Sequence, residues 1–348
     1  MSGSLADRFR EQADFCRTAG SPLTADLLTG AAADLADPGT PTAQLLGPLV
    51  SDPPGSVPAL RFAGALHRLV LERRAPALAV HYPSVGGTPG DVWAAARTAV
   101  ENHLEALHEL VRRPVQTNEV GRSSALLGGL LHVAAEHGRP VRLLEVGASA
   151  GLNLSVDRYR HAVGRDTVLG DPASPVVLDD PWQGPLPPTD QPVELVERLG
   201  CDPEPLDPRS TEDRLTLTSY VWADQVRRFE RLRGALQVAA AAAHLVRRQG
   251  AADFLEHELA PVEGVSTVVW HSLVRQYLSA EERGRVGVLL QDAGHRATAQ
   301  APVAHLHLEP VPGHAHPPTF QVVLTSWPGG RRRVLADCGA HGPPIVWH

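Results

Sequence analysis

Apolar residues recur at helical spacing through the first 135 residues of the chain. Stretches such as "SLADRFREQADFCRTA", "VPALRFAGALHRLVLER" and "DVWAAARTAVENHLEALHELV" carry Leu, Phe, Val or Ala every three or four positions. Ser, Pro or Asp stands at or beside the start of each, as is typical of helix caps and first turns. The pattern predicts an all-helical N-terminal region over residues 1–135, which we expect to serve as a lid or substrate-binding region.

From Val141 onward, short apolar runs rich in β-branched residues alternate with helical stretches. The predicted strands are "VRLLEVG", "VELVERLG", "AHLVRRQG", "TVVWHS", "PVAHLHLEP", "TFQVVLTSW" and "RRRVLADCG", and "GLNLSVDRYRHA" after the first of them is predicted to be a helix. This alternation predicts an α/β domain over residues 136–348 with a mostly parallel, doubly wound sheet. Only a Pro-Gly-Gly turn separates the last two strands, which predicts an antiparallel hairpin at one edge of the sheet.

The composition excludes several classes of protein. The 348 residues include no lysine, so all 32 basic residues are arginine, and neither a lysine Schiff base nor a phosphate-loop lysine is possible. The formal net charge of −7 disfavours general nucleic-acid binding, which needs a basic face.

Cysteine usage and the N-terminus indicate the compartment. Cys16, Cys201 and Cys338 are too far apart for a zinc knuckle or a disulfide framework. The N-terminus lacks the apolar run of a signal peptide, and the most apolar stretch, about 12 residues, is shorter than a membrane span. We therefore expect a cytoplasmic protein with a small-molecule substrate and without a nucleic-acid or membrane partner. The sequence leaves the oligomeric state open.

The first predicted strand ends in "EVGASAGLN", where an acid precedes a loop of small residues. Ligands of doubly wound sheets bind beyond the carboxyl ends of the strands, so this loop is the first candidate site. Gly147 and Gly151 allow the backbone to approach a ligand closely. Ala148 and Ser149 have small side chains that leave room for the ligand, and Glu145 can accept hydrogen bonds from it.

The same loop also has the Gly-x-Ser-x-Gly frame of a hydrolase nucleophile elbow. Ser149 would then be the nucleophile, with His271 or His341 as its base. The place of the loop after the first strand, and the acid Glu145 before it, favour a cofactor loop. A hydrolase remains the alternative.

As a motif, "EVGASAGLN" resembles the E-x-G-x-x-x-G pattern of class I S-adenosylmethionine-dependent methyltransferases. The resemblance implies a Rossmann-like methyltransferase sheet and S-adenosyl-L-methionine as the cofactor. The cofactor-binding residues that it implies here are Glu145, Gly147, Ala148, Ser149, Gly151, Asn153, Asp202 and Asp253.

Two acids of that set are implied by their places in the chain. Asp202, in "ERLGCDPEPLD", stands where methyltransferases hold the ribose, and Asp253, in "RRQGAADFL", stands where they contact the adenine. Ala251 occupies a position where a further acid is common. A Pro-rich insertion over residues 169–192, expected to be a lid or a brace, lengthens the segment between Glu145 and Asp202. Asp171 is therefore the alternative residue for holding the ribose.

Five further motifs are "PVQTNEVGRSSAL", "LLEVGASAGLNLSVDRYR", "GDPASPV", "VWADQVRRFERLRGAL" and "VVWHSLVRQYLS". Through them the chain resembles, over most of its length, a bacterial family of uncharacterised proteins, domain of unknown function 2332. The resemblance runs from about residue 5 to the C-terminus, and it implies a methyltransferase-like core behind a helical N-terminal region. It implies no particular activity.

Polar residues before the first strand supply a candidate substrate site. The motif "QTNEVGR" places Gln116, Asn118, Glu119 and Arg122 directly before a helix. A helix cap needs only one or two of them. The others are predicted to line the mouth of the cleft, where Arg122 can pair with a carboxylate. The alternative is that one or two of these side chains cap the helix and the others are simply exposed to solvent.

The fourth predicted strand of the domain, in "TVVWHSLVRQYLS", ends at the candidate general base His271. The reference pKa of an imidazole, about 6.5, suits proton removal near neutral pH. A core histidine that bonds to the backbone is the alternative. Ser272 and Tyr277 are predicted to bind the substrate.

A second group of histidines lies in "HLHLE" and "GHAHPP". On a strand, His305, His307 and Glu309 point to one face, as metal ligands would. Because the chain has 17 histidines, such pairs arise by chance, and no spacing, including that of His314 and His316, is diagnostic. We therefore expect no metal.

Together these residues predict a methyltransferase that uses S-adenosyl-L-methionine and acts on a small-molecule acceptor. The alternatives are a serine hydrolase acting through Ser149 and a non-catalytic regulatory module that keeps the fold without turnover.

Overall fold

The computed structural model describes residues 4–53, 55–164, 166–242, 244–313 and 318–348, which divide into two compact units. The first unit comprises Met1–Thr117 and Thr211–Glu230, and the second comprises Asn118–Ser210 and Arg231–His348. The predicted division at residue 135 differs from this at two places. Residues 118–135 belong to the second unit, and residues 211–230 belong to the first.

The described residues form twelve α-helices. They are α1 (Leu5–Thr18), α2 (Pro22–Asp34), α3 (Pro41–Leu46), α4 (Pro58–Leu71), α5 (Pro76–Ala79), α6 (Val92–Asn102), α7 (Leu104–Leu110), α8 (Ser123–His137), α9 (Thr211–Ser219), α10 (Val226–Ala242), α11 (Ala251–Glu258) and α12 (Ala280–Arg296). Within the described part of the first unit there are helices and no strand, as the periodicity predicts. No described helix combines the length and the apolar character that a membrane span requires.

Helix packing in the first unit follows the apolar spacing read from the sequence. α1 begins at Ser4, whose hydroxyl accepts a hydrogen bond from the Asp7 N–H at 3.2 Å. This cap satisfies a backbone donor that the first turn leaves without a helical partner. Phe9 of α1 meets Phe62 of α4, with ring centroids 6.0 Å apart. α4 is buried around nearly its whole circumference and lies at the centre of this core.

The second unit contains all the strands that the structure describes. They are β1 (Val141–Val146), β2 (Arg160–Val163), β3 (Thr167–Leu169), β4 (Val177–Asp179), β5 (Trp182–Gln183), β6 (Leu195–Asp202), β7 (Leu245–Arg248), β8 (Ser266–Ser272), β9 (Val303–Pro310), β10 (Phe320–Trp327), β11 (Arg331–Gly339) and β12 (Gly342–Trp347). A nine-stranded sheet has the order β5-β12-β11-β10-β9-β8-β1-β6-β7, and a small sheet has the order β3-β2-β4.

The large sheet is mostly parallel, so the unit has the mixed α/β architecture that the strand–helix alternation predicts. Every pair in β7-β6-β1-β8-β9 is parallel. The pairs of β9-β10-β11-β12 are antiparallel, and β5 joins β12 in parallel. From β1 the chain proceeds outward to β6 and β7 and then crosses back to β8. The loops that follow β1 and β8 therefore leave in opposite directions, which opens a crevice at the carboxyl ends of these strands.

Two local predictions differ from the structure. "GLNLSVDRYRHA" forms a 3-10 segment, Leu152–Arg158, rather than the predicted α-helix, and the chain then passes into β2. The hairpin of β10 and β11 is present, but it does not lie at the edge, because β12 and β5 extend the sheet beyond it. The sheet extends beyond the hairpin because β5 pairs with β12, a strand distant in the sequence that the local pattern does not reveal.

The insertion over residues 169–192 contains β4 and β5 and braces the far edge of the sheet. The indole Nε1 of Trp182 donates to the Ser124 carbonyl at 3.0 Å. Its ring meets Trp347 edge to face, with centroids 5.8 Å apart. This part of the insertion therefore joins β5 to α8 and β12, as expected of a brace, which is one of the two roles considered for it from the sequence.

Helices cover both faces of the sheet. α8 lies so close to one face that a Cβ on Gly129 would be 2.3 Å from Leu306 and a Cβ on Gly128 would be 2.1 Å from Trp347. This contact explains why residues 118–135 belong to the second unit. On the other face, α11 and α12 bury Phe254 and Leu290 against the strands.

Candidate functional site

Two buried oxygen atoms without hydrogen-bond partners lie at the carboxyl end of β1. Glu145 is the fifth residue of this strand, and Asn153 follows in the 3-10 segment; each is 2% exposed. Asn153 Nδ2 donates to Glu145 Oε1 at 3.4 Å. Glu145 Oε2 and Asn153 Oδ1 are buried with no partner. Because a buried acceptor without a donor is costly, the pair suits a ligand that brings donors.

Burial dominates the electrostatics of Glu145. It raises the pKa of this carboxyl to about 8, and the charge of Asp202 raises it further, while the bond from Asn153, the charge of Arg122 and the nearby indole N–H of Trp270 act to lower it. Near neutral pH much of the population therefore carries a proton. A cationic ligand next to the carboxyl would favour its ionised form.

The loop after β1 is wound through left-handed backbone conformations. Gly147 and Gly151 both have φ of +70°, and Ser149 has φ of +52°. A Cβ at Gly147 would lie 2.4 Å from Val274, and one at Gly151 would lie 2.9 Å from Val246. These glycines are thus required by backbone conformation and by the packing of the protein's own side chains. Close approach to a ligand, the predicted reason for them, stays a prediction.

Asp202 ties this loop to the end of β6. Its Oδ2 accepts from the Ser149 N–H at 3.0 Å, and its Oδ1 accepts from the Glu204 N–H at 2.9 Å. The N–H of Ala148 donates to the Cys201 carbonyl at 2.9 Å, which holds the loop from the same strand. Asp202 is therefore beside the loop, as expected, with each carboxylate oxygen accepting one backbone amide.

The other acids implied for the cofactor lie in different surroundings. Asp171 occupies an exposed turn, where its Oδ1 accepts from the Ala173 N–H at 2.8 Å. Asp253 is on α11, and its exposed carboxylate pairs with Arg285 of α12 at 2.9 Å. The N–H of Ala251 at the start of α11 donates to Glu282 at 2.9 Å. The roles of Asp202, Asp171 and Asp253 toward a nucleoside stay predictions.

The motif "QTNEVGR" is divided between the units, because Gln116 falls in the first and the residues from Asn118 onward fall in the second. Asn118 Oδ1 accepts from the Leu152 N–H at 2.9 Å and so fixes the end of the loop after β1. Glu119 Oε1 accepts from the Gly121 N–H at 2.9 Å, which is a capping interaction. Capping therefore describes Glu119, whereas the predicted role of the motif in binding a substrate stays a prediction.

Arg122 reaches the end of β8. Its Nε donates to the Ala340 carbonyl at 2.9 Å, and its Nη1 lies 3.3 Å from the Ser272 carbonyl and 3.4 Å from the Ser272 hydroxyl. Two of the predicted substrate residues are therefore in contact with each other. Tyr277 lies beyond them on the segment after β8, with 49% of its surface exposed.

His271, the predicted base, is the buried centre of a cluster of ionisable side chains. Its Nδ1 lies 2.8 Å from Glu309 Oε1, and its Nε2 lies 3.0 Å from His305 Nε2. Glu309 Oε1 also accepts from the N–H groups of Val274 at 2.9 Å and Arg275 at 3.3 Å. His271 is therefore not a core histidine that bonds only to the backbone, and neither ring nitrogen is directed at Ser149.

His305 and His307 complete the cluster from β9. His307 stacks on His271, with ring centroids 5.3 Å apart and planes inclined by 4°. Burial lowers the pKa of His305 well below its ordinary value and that of His307 to about 3, and the neighbouring imidazoles act in the same direction. Across the described ranges, no three His, Cys, Asp or Glu side chains are placed to hold a metal ion, and His314 and His316 lie outside those ranges.

Sequence reasoning placed His305, His307 and Glu309 on one face of a strand, which is confirmed, but it missed their contact with His271. β8 and β9 are adjacent and parallel, in a register that sets His271 beside His307. The alternation in "HLHLE" was the signal for the shared face. No local signal identified β8 as the neighbour of β9.

Comparison with known families agrees with the motifs. A family described as "Uncharacterized protein conserved in bacteria (DUF2332)" matches the chain over residues 6–347. The chain belongs to the DUF2332 family. No curated protein and no solved structure matches it significantly. The family confirms the relationship expected from the sequence motifs, whereas the likeness of this DUF2332 protein to methyltransferases stays a prediction.

Proposed function

We propose that this DUF2332 protein is an S-adenosyl-L-methionine-dependent methyltransferase that acts on a small molecule. The observation that carries the proposal is the pair of buried, unpartnered oxygens of Glu145 and Asn153 at the carboxyl end of β1. They lie at the point where strand order reverses, which is the usual ligand position in an open α/β sheet.

The strand order supports the same conclusion. Numbered by their order within β7-β6-β1-β8-β9, the parallel strands run third, second, first, fourth, fifth. This is the arrangement of doubly wound sheets that bind nucleotide-containing ligands at the first strand. The Rossmann-like methyltransferase fold expected from "EVGASAGLN" has the same central order.

The residues present suit the amino-acid end of this cofactor. An ammonium group brings several donors and a positive charge, and the two acceptor oxygens at Glu145 and Asn153 lack donors. The small residues from Gly147 to Gly151, with Asp202 behind them, form the adjoining wall, and Asp253 is assigned to the adenine. Arg122, Ser272 and Tyr277 are assigned to the acceptor. When bound, the cofactor supplies a methyl group already activated on a sulfonium, so alignment provides most of the rate.

Calorimetry with S-adenosyl-L-methionine and S-adenosylhomocysteine tests this proposal. We expect both to bind, and we expect Glu145→Gln to weaken binding about tenfold, as loss of a charge-assisted hydrogen bond does. Glu256→Gln, an exposed carboxylate paired with Arg285, is the matched control and should bind like the wild type. Absence of binding at roughly millimolar ligand would refute the proposal. Binding without transfer to any acceptor in a metabolite panel would favour the non-catalytic alternative.

A serine hydrolase acting through Ser149 is the second candidate. The left-handed φ of +52° at Ser149, in the turn directly after β1, is the observation in its favour, although a 3-10 segment and not an α-helix follows the turn. Against it, Ser149 is only 2% exposed, and the ring nitrogens of His271 face Glu309 and His305. A fluorophosphonate probe that labels the wild type but not Ser149→Ala would establish this function in place of the first.

A further inference from the structure

Two imidazole nitrogens face each other between β8 and β9. The Nε2 of His271 lies 3.0 Å from the Nε2 of His305, and the two ring centroids are 5.1 Å apart. The spacing within "HLHLE" alone is not diagnostic of a metal, because this partner comes from a different strand. Each neutral imidazole has one nitrogen with a lone pair, so the two nitrogens can share a proton or bind one ion together.

The distance between these nitrogens suits a single metal ion. Bonds from zinc to imidazole nitrogen are about 2.0–2.1 Å long, so two such nitrogens lie about 2.9 Å apart at a right angle and about 3.3 Å apart at the tetrahedral angle. The observed 3.0 Å lies between these values. An ion can therefore join the two rings after only a small movement of either side chain.

A carboxyl group lies behind one of the two rings. Glu309 Oε1 is 2.8 Å from Nδ1 of His271, and it also accepts from the N–H groups of Val274 at 2.9 Å and Arg275 at 3.3 Å. Histidines that bind metals usually donate their other ring N–H to such a carboxyl oxygen, which fixes the tautomer and directs the remaining nitrogen at the ion. His271 has this arrangement, with Nδ1 toward Glu309 and Nε2 toward His305.

The surroundings favour an uncharged ring and leave it accessible. Burial lowers the pKa of His305 well below its ordinary value, and the neighbouring imidazoles and Arg275 act in the same direction. Neutral imidazole is the form that binds a metal ion. His271 is 6% exposed, whereas His305 and His307 are partly exposed, so an ion can enter from the β9 side. The charge of Arg275 opposes a cation, and we therefore expect roughly micromolar affinity.

We propose that His271 and His305 form a two-histidine site for a divalent transition-metal ion such as Zn²⁺, with Glu309 as a positioning residue. Among the described residues no third His, Cys, Asp or Glu is placed to join them, so water or an anionic ligand takes the other positions of the ion. In the bound state both Nε2 atoms are unprotonated, and His305 carries its proton on Nδ1. The inference is independent of the proposed function, because these rings and Glu145 point to opposite faces of the sheet.

Calorimetry of the untagged full-length protein with ZnCl₂ at pH 7.5 tests the site. We expect one Zn²⁺ to bind per chain, and we expect no binding of Mg²⁺, which prefers oxygen ligands. His305→Asn removes one ligand at a partly exposed position and should weaken Zn²⁺ binding at least about tenfold. His295→Asn, at an exposed position of α12, is the matched control and should bind Zn²⁺ like the wild type.

Glu309→Gln tests the positioning role. It should weaken Zn²⁺ binding by about 10–100-fold, the usual cost of losing a carboxylate behind a metal-binding histidine. A folded Glu309→Gln protein with wild-type affinity would contradict this role. His305→Asn decides the existence of the site even if Glu309→Gln does not fold.

Two results would overturn the site itself. One is the absence of Zn²⁺ binding by the wild type at concentrations up to roughly millimolar, and the other is wild-type affinity in His305→Asn. The two nitrogens then form a hydrogen bond only. His314 and His316 lie outside the described residues, and Zn²⁺ binding that is lost on changing both to Asn but kept in His305→Asn would place the ion there instead. Because neither cofactor nor methyl acceptor is present, the result does not depend on the proposed function.

Discussion

Glu145 makes the free energy of unfolding depend on pH in a way that one isosteric substitution removes. Burial raises the pKa of this carboxyl to about 8 in the folded chain, from 4.5 for an exposed one. Because the folded state holds the proton more tightly, the stabilisation is fully present below about pH 4.5 and is lost as the pH rises through about 8. The whole effect corresponds to about 5 kcal/mol, of which about 4 kcal/mol is lost between pH 5 and pH 9.

Glu145→Gln keeps the shape of the side chain and can keep the bond from Asn153, but it does not titrate. Urea denaturation of both proteins from pH 5 to pH 9 should therefore show the variant gaining about 4 kcal/mol over the wild type. All other titrating groups are common to both proteins and cancel in the difference. Glu256→Gln, 59% exposed, should differ from the wild type by no more than about 1 kcal/mol throughout. If the difference in the free energy of unfolding between Glu145→Gln and the wild type does not change with pH, the conclusion that burial raises the pKa of Glu145 is refuted.

Three further predictions concern packing and acid stability. Gly129→Ala should destabilise the second unit by about 1–3 kcal/mol in thermal denaturation, since the new Cβ would lie 2.3 Å from Leu306. Gly284→Ala, inside α12 with open space around it, should instead stabilise by up to about 1 kcal/mol, and equal effects would contradict the packing argument. Trp182→Ala should cost about 3–5 kcal/mol in urea unfolding, and a negligible cost would show that the insertion is not a brace. Burial lowers the pKa of His161 to about 4, so the unfolded chain takes up a proton that the folded chain does not. The free energy of unfolding should therefore fall by about 3 kcal/mol between pH 7 and pH 4 from this residue, a share that His161→Gln should remove.

The fold was predictable wherever an element carries its own periodicity. All seven predicted strands are present, because runs such as "VRLLEV" and "FQVVLTSW" are long enough and apolar enough to be recognised alone. β12 was not, since "GPPIVW" contains two prolines, which ordinarily argue against a strand. β5 is two residues long and forms through pairing with Ile345 and Val346. Such elements depend on partners that no local pattern specifies.

The candidate site was predictable in position and less so in its contacts. Glu145, Asp202 and His271 lie at or next to the carboxyl ends of β1, β6 and β8, as predicted, and parallel strands bring these ends to one edge. Their functional roles stay predictions. The partners of these residues depend on which strands are neighbours. The sequence therefore did not reveal that Glu309 binds His271 or that Val274 fills the space beside Gly147.

The segment after β8 joins the two halves of the candidate site. Glu145 is in register with Trp270, so it shares the sheet face covered by α8, and His271, one position later, points to the opposite face. Nothing within β1 and β8 themselves connects the carboxyl to the imidazole. Val274 does, because its side chain lies against Gly147 while its N–H holds Glu309 at 2.9 Å. The side chain that fills the space beside Gly147 therefore belongs to a residue whose backbone N–H holds the carboxylate in contact with His271. The segment after β8 therefore connects the loop after β1 with the contacting pair Glu309 and His271, although Glu145 and His271 point to opposite faces of the sheet.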